Sequence, residues 1–261
     1  MKKGLHILAA GFLILTLTGT DAAAAPAWLQ KVKNFFAKSD TPAAATQPAE
    51  PAADETPADP DAPVFDFSEK VIGHANAPLK ISIFTSLTCP HCSAVHTQLL
   101  PYLEKTYVAD NTARIVLADF PIDTRAVTAS LISRCLTGEN YFAFMGTLFE
   151  NQMKWAVAND LQEALLPYAK LAGLSEAKMT ACATDEQALK ELTRQRNLAI
   201  MQYKVRATPT LIFQLGSQKE TIEGAPGRAD VDKLIEKMKK GYKGEWPAAP
   251  QPEPAPAPAA P

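Results

Sequence analysis

The stretch IFTSLTCPHCSAVH, Ile83 to His96, sets two cysteines two residues apart where a β-type run gives way to a helical pattern. Upstream, Lys80 to Phe84 (KISIF) is a β-branched and aromatic run after the loop residues Asn76 to Pro78, and it predicts a buried strand. Downstream of Cys89, apolar residues at Cys92, Val95, Leu99, Leu100 and Leu103 recur at helical spacing. Thr88 is available as N-cap, and Pro90 falls in the first turn, where its missing N–H costs nothing. Pro101 predicts a kink further along.

A cysteine pair so placed is a redox couple, two ligands of a metal, or half of a structural framework. The start of a helix offers unpaired backbone N–H groups and a partial positive charge, and both favour a thiolate over a thiol. Cys89 is placed to feel them and reads as the nucleophile or leaving group. Cys92, one turn in and on the buried stripe, reads as the resolving thiol. His91 lies between them, with a ring able to donate a hydrogen bond to the Cys89 thiolate and so stabilise the reduced pair; a solvent-facing histidine is the alternative. Pro90 stiffens the turn and removes a competing donor.

Working outward, Ala113 to Phe120 (ARIVLADF) predicts a second strand closed by Pro121, and Thr124 to Tyr203 reads as almost continuous helix. Within that tract Tyr141, Phe144, Met145, Leu148 and Phe149 form one apolar stripe, and Thr184 with Gln187 predicts a capping box. After Pro209, TLIFQLG and KETIEG alternate as two strands of a hairpin, and Val231, Leu234, Ile235 and Met238 mark a last amphipathic helix. The sum is an α/β chain: a mixed sheet with helices on both faces and a helical block that looks inserted.

The ends read differently. Lys2 and Lys3, an apolar run from about Leu5 to Leu17 and a small-residue stretch form a secretory leader, with cleavage expected after Ala24. The apolar run is short for a bilayer span. Residues 25–63 and 247–261 are rich in Pro and Ala, unable to bury enough surface to fold, and read as a linker and a tail. The linker contains one amphipathic island, Trp28 to Lys38, read as a fraying helical turn or as a contact element. Residues 64–246 remain for one domain, with the helical insertion at about 122–204. Export to an oxidising compartment such as the periplasm lets cysteine pairs persist as disulfides. Of the four cysteines, Cys89 pairs with Cys92 locally and Cys135 with Cys182 by elimination, with two buried free thiols as the alternative for the second pair. A formal net charge of -2, with no basic run interleaved with aromatics, argues against nucleic acid as a partner.

Cys89-Pro90-His91-Cys92, the Ala207-Thr208-Pro209-Thr210 stretch and the helical tract between them together resemble the DsbA-like branch of the thioredoxin superfamily. That resemblance implies a thioredoxin fold with an inserted all-helical subdomain, and protein dithiol–disulfide oxidoreductase activity without a bound cofactor. It also implies that Pro209 follows a cis peptide bond and sits with Thr208 against the cysteine pair, where an extended substrate strand would lie. Unfolded or reduced exported polypeptides are the implied substrates, and a quinone-linked membrane oxidase of the DsbB type the implied partner. Relatives carry a buried acidic residue in the strand below the cysteines; this chain has Ile83 there. Thr208 matches isomerase-type relatives as well as oxidases, while His91 matches the oxidases.

Two rivals stand beside a monomeric oxidase. An oligomeric disulfide isomerase or reductase keeps the fold and changes the task. A copper or zinc carrier would draw ligands from Cys89, Cys92, His91, His74 and His96, but a closed site wants four convergent ligands and no second pair is spaced to complete one, so no metal site is expected.

Overall fold

A computed structural model describes residues 62–244 and 246–247. The expected leader, nearly all of the 25–63 linker with its 28–38 island, and nearly all of the 247–261 tail lie outside the described residues. In chain order the elements are β1 (Lys70–Ile72), β2 (Leu79–Thr85), a helical tract α1 (90–108), β3 (Ala113–Asp119), α2 (Thr124–Arg134), α3 (Gly138–Glu150), α4 (Gln152–Trp155), α5 (Leu161–Leu171), α6 (Glu176–Thr184), α7 (Glu186–Tyr203), β4 (Thr210–Leu215), β5 (Gln218–Glu223) and α8 (Arg228–Gly241).

The strands form one sheet in the order β1-β3-β2-β4-β5. β2 lies at its centre, parallel to β3 with Ile83 opposite Leu117, and antiparallel to β4 with Ile83 opposite Leu211. The parallel pair needs a crossover, which α1 supplies. Polar side chains leave β5 half exposed along an edge, whereas β2 is covered on both faces and its sequence is correspondingly apolar. Ile81, Ile83 and Thr85 share the face on which Cys92 of α1 lies near Thr85. Phe84 points to the other face, where Phe120, Ala199 of α7, Val205 and Ile212 pack against it.

One element is added to the expected set and two local expectations change. β1 is a short edge strand paired antiparallel with β3, Lys70 opposite Leu117; three residues carry too little periodicity to announce a strand. The Pro101 kink takes the form of register slips: α-helical turns at Pro90–Ala94 and Leu100–Leu103 alternate with π-helical turns at Val95–Leu99 and Glu104–Val108. Leu100 N–H accordingly bonds Val95 O, five residues back, just before the proline that cannot donate. The Thr184–Gln187 capping box is absent because Thr184 still belongs to α6, its hydroxyl donating to Thr180 O at 2.9 Å. Asp185 caps α7 instead, accepting from Ala188 N–H at 2.7 Å.

The helical block α2–α7 is one connected insertion between β3 and β4. Tyr141, Phe144, Met145, Leu148 and Phe149 are its buried stripe, and Trp155 is fully buried with its indole N–H donating to Leu148 O at 2.8 Å. Cys135, just past α2, is disulfide-bonded to Cys182 of α6. Next to it, Arg134 forms a buried ion pair with Asp119 at 2.6 Å, and its guanidinium also donates to the carbonyls of Asp66 and Ser68, fastening the segment before β1 to the block.

Candidate active site

Where β2 ends, the backbone of 86–89 turns into α1. Cys89 N–H donates to Ser86 O at 3.1 Å, and Cys89 O accepts from the N–H groups of Cys92 at 3.0 Å and Ser93 at 3.1 Å. Cys89 is therefore itself the N-cap residue, with extended backbone and no side-chain cap bond, and Pro90 occupies the first turn. Thr88 does not cap this helix: its hydroxyl donates to Asp123 Oδ2 at 2.6 Å, while Asp123 Oδ1 caps α2 through Ala126 N–H at 2.8 Å. One position too early for capping, Thr88 links the cysteine turn to the helical insertion instead. Ser86 reinforces the link, its hydroxyl accepting from Ile122 N–H at 3.3 Å and lying 3.4 Å from Thr88 Oγ1.

Both Cys89 and Cys92 are thiols, and their surroundings differ. Cys89 is 6% exposed and its sulfur donates to Thr208 O at 3.3 Å. The Thr208–Pro209 peptide is cis, and the turn that carries it is tied on both sides: Thr210 Oγ1 donates to Ala207 O at 2.7 Å, and Gly224 N–H donates to Pro209 O at 2.8 Å. Cys92 is 0% exposed, and burial pushes its thiol well up from the ordinary range, opposed by a hydrogen bond from Ser86 N–H at 3.4 Å. The buried Thr85 hydroxyl faces the same sulfur without a hydrogen bond of regular geometry. Beneath the pair Ile83 is fully buried, so that position holds hydrocarbon and no carboxylate.

Pro90 and His91 are exposed on the first turn. The His91 ring makes no hydrogen bond among the described residues; the partner of the Cys89 sulfur is the Thr208 carbonyl, because residue 91 projects outward from the helix start. His96, one turn further in, is buried and stacked on Phe149 with ring centroids 3.9 Å apart, and burial lowers its pKa to about 3. Among the described residues its Nε2 has no hydrogen-bond partner. His74 lies in the loop after β1, its Nδ1 accepting from Asn76 N–H at 3.3 Å. Among the described residues no three His, Cys, Asp or Glu side chains converge as a metal site.

Sequence reasoning passed over the groups that hold this centre from the insertion side. Gln152 of α4 donates from Nε2 to Leu87 O at 2.7 Å and to Cys89 O at 3.0 Å. Ser93 Oγ of α1 donates to Phe149 O at 2.9 Å. Asp123 carried a readable signal, an Asp immediately before a helical pattern; Gln152, inside a tract that reads as helix throughout, carried none.

Comparison with known proteins places these observations in a family. Residues 67–237 match the family model described as thioredoxin. A Rickettsia bellii protein named as a protein-disulfide oxidoreductase is 28% identical over 176 residues, 67% of this chain and 68% of that protein. A Rickettsia typhi protein of the same name is 27% identical, covering 66% of this chain and 64% of its own. The chain thus spans about two thirds of the length of these curated relatives. Among solved structures it is similar to Wolbachia pipientis alpha-DsbA1, with 26% identity and a TM-score of 0.62 over 69% of this chain and 94% of that one. Chlamydia trachomatis DsbA shares the fold at 18% identity and a TM-score of 0.55, over 71% of this chain and 97% of that one.

Proposed function

Since the chain belongs to the thioredoxin family, in its DsbA-like branch of thiol–disulfide oxidoreductases, we propose that it oxidises cysteine pairs of exported proteins through a Cys89–Cys92 disulfide. The observation that carries this reading is the Cys89 sulfur, which sits at the start of α1 and 3.3 Å from the Thr208 carbonyl. A substrate strand laid beside Thr208 and Pro209 has backbone groups to pair with and a sulfur at hand.

The cycle begins with the disulfide form. A substrate thiolate attacks the Cys89 sulfur, the Cys89–Cys92 bond breaks, and its electron pair leaves on Cys92, which takes a proton in its buried site. A second substrate thiolate attacks the substrate sulfur of the mixed disulfide and expels Cys89 as thiolate, so the substrate loses two electrons and the protein gains two. In the second step the start of α1, the positive end of its helix dipole, receives the charge that develops on Cys89. Cys92 is the resolving thiol, Pro90 and His91 shape the outer rim, and Thr208 with Pro209 forms the substrate ledge. The Cys135–Cys182 bridge is structural. A quinone-linked membrane oxidase of the DsbB type would restore the disulfide in the periplasm, with the protein acting as a monomer.

Thr208 favours a second reading, disulfide isomerisation, because it stands where isomerase-type relatives carry the same residue. Two assays separate them: oxidation of a dithiol peptide, and recovery of a scrambled disulfide protein, read alongside light scattering. Rapid oxidation with poor unscrambling by a monomer is expected. Full dithiol oxidation by Cys89→Ser would overturn the assignment of Cys89.

A further inference from the structure

Resting on that reading, we infer that Gln152 is a positioning residue of the redox centre: from the helical insertion it holds the Leu87–Cys89 turn, and it stabilises the dithiol form more than the disulfide form. The turn itself shows why something must hold it. β2 ends at Thr85 and α1 begins at Pro90, so the backbone between them belongs to no ladder and to no helix. Leu87 is buried, which leaves its carbonyl without water, and a buried carbonyl needs a donor. Gln152, itself 5% exposed, spends both hydrogens of one amide nitrogen on this turn, one on Leu87 O and one on Cys89 O.

The insertion is built to present that amide. Asn151 departs from helical geometry with φ -106 and ψ 19, which ends α3 and turns the chain into the short α4. The junction is anchored by Lys154 N–H to Asn151 O at 2.8 Å and by Ala156 N–H to Gln152 O at 2.8 Å. Ser93 closes it from the other side through Phe149 O. Gln152 is therefore fixed on a rigid turn before it reaches across.

Its weight differs between the two redox forms. As a disulfide, Cys89 is tethered covalently to Cys92, so the position of the turn is already determined. In the dithiol form that ring is open, and the placement of Cys89 over the start of α1 and against Thr208 O depends on hydrogen bonds alone. A side chain that stabilises the dithiol more than the disulfide makes the couple more oxidising, because the exchange equilibrium records the difference between the two.

The test uses the full mature chain in glutathione buffers, where the disulfide form and two glutathione thiols exchange with the dithiol form and one glutathione disulfide. Gln152→Met keeps length and volume and removes both donors; Gln152→Ala opens room for water and serves as the second variant. Both are expected to lower the equilibrium constant for reduction about three- to tenfold, since two neutral hydrogen bonds are each worth about a factor of ten or less. Tenfold is about 30 mV for this two-electron couple. The urea midpoint of the reduced form should fall further than that of the oxidised form, and a variant that folds only as the disulfide is the same result at its limit. An unchanged constant with equal loss of stability in both forms overturns the inference and leaves the oxidoreductase reading standing. Failure of the wild-type pair to exchange with glutathione overturns both.

Discussion

The sulfur of Cys89 donates to the carbonyl oxygen of Thr208 at 3.3 Å, although 119 residues separate them in the chain. Cys92 lies on the inner side of the same turn with no exposed surface. An incoming thiol therefore meets Cys89 first, and a disulfide formed there has Cys92 as its internal attacker. In Cys92→Ala, reaction with a disulfide-bonded cysteine peptide should stop at a stable mixed disulfide on Cys89, seen by mass spectrometry as one added peptide. In Cys89→Ala the buried Cys92 should give less than about a tenth of that product, in keeping with the control of thiol reactivity by access and thiolate content. Equal labelling of the two single-cysteine variants would contradict this assignment of roles.

A second expectation concerns the buried ion pair. Arg134 and Asp119 are both almost fully covered, and Ser130 Oγ donates to the remaining carboxylate oxygen at 3.0 Å. Arg134→Met leaves Asp119 as an uncompensated buried charge and should cost about 3–5 kcal/mol in urea unfolding. Adding Asp119→Leu to it should recover part of that loss, because the stranded charge is then gone. A double variant less stable than the sum of the singles would refute this account.

Much of this architecture is readable in the chain because apolar patterning and turn residues point the same way. Ile81 and Ile83 in a continuous apolar run announce a central strand, and the stripe from Tyr141 to Phe149 announces a buried helix. Thr208 and Pro209 could be set against the cysteines only through the family likeness, since nothing local in either segment encodes a contact between distant residues. What escaped the sequence is of that non-local kind: β1 exists because β3 is there to pair with it, and Gln152 matters because two carbonyls on another element need donors. Thr88 reads locally as a cap, whereas its hydroxyl serves Asp123, thirty-five residues away.

The bridge between Cys135 and Cys182 closes a loop of 47 residues. By the chain-entropy relation such a closure is worth about 4 kcal/mol, so Cys135→Ala/Cys182→Ala should lower unfolding stability by about that amount. The redox function should survive, because the bridge lies at the far end of α2 from Asp123. Mild reduction followed by alkylation should label Cys89 well before either bridge cysteine, as Cys182 is fully buried and Cys135, no more covered than Cys89, becomes a thiol only when its bond to Cys182 is broken. Simultaneous labelling of all three would count against a structural bridge.

Acid sensitivity should follow from His96. Buried against Phe149, it stays neutral in the folded chain down to about pH 3, whereas an unfolded chain protonates it near its ordinary value of 6.5. Between those two values the unfolded state binds the extra proton, so stability falls as pH falls through that window and is independent of this group above it. At about 1.4 kcal/mol per pH unit, the contribution between pH 7 and pH 4 is about 3 kcal/mol. His96→Phe keeps a ring against Phe149 and removes the titrating group. Its stability should exceed that of the wild type increasingly as pH drops from 6.5 to 4, measured by urea unfolding at each pH. Parallel pH profiles for the two proteins would show that His96 is hydrated or paired in solution, and the buried neutral ring would have to be abandoned.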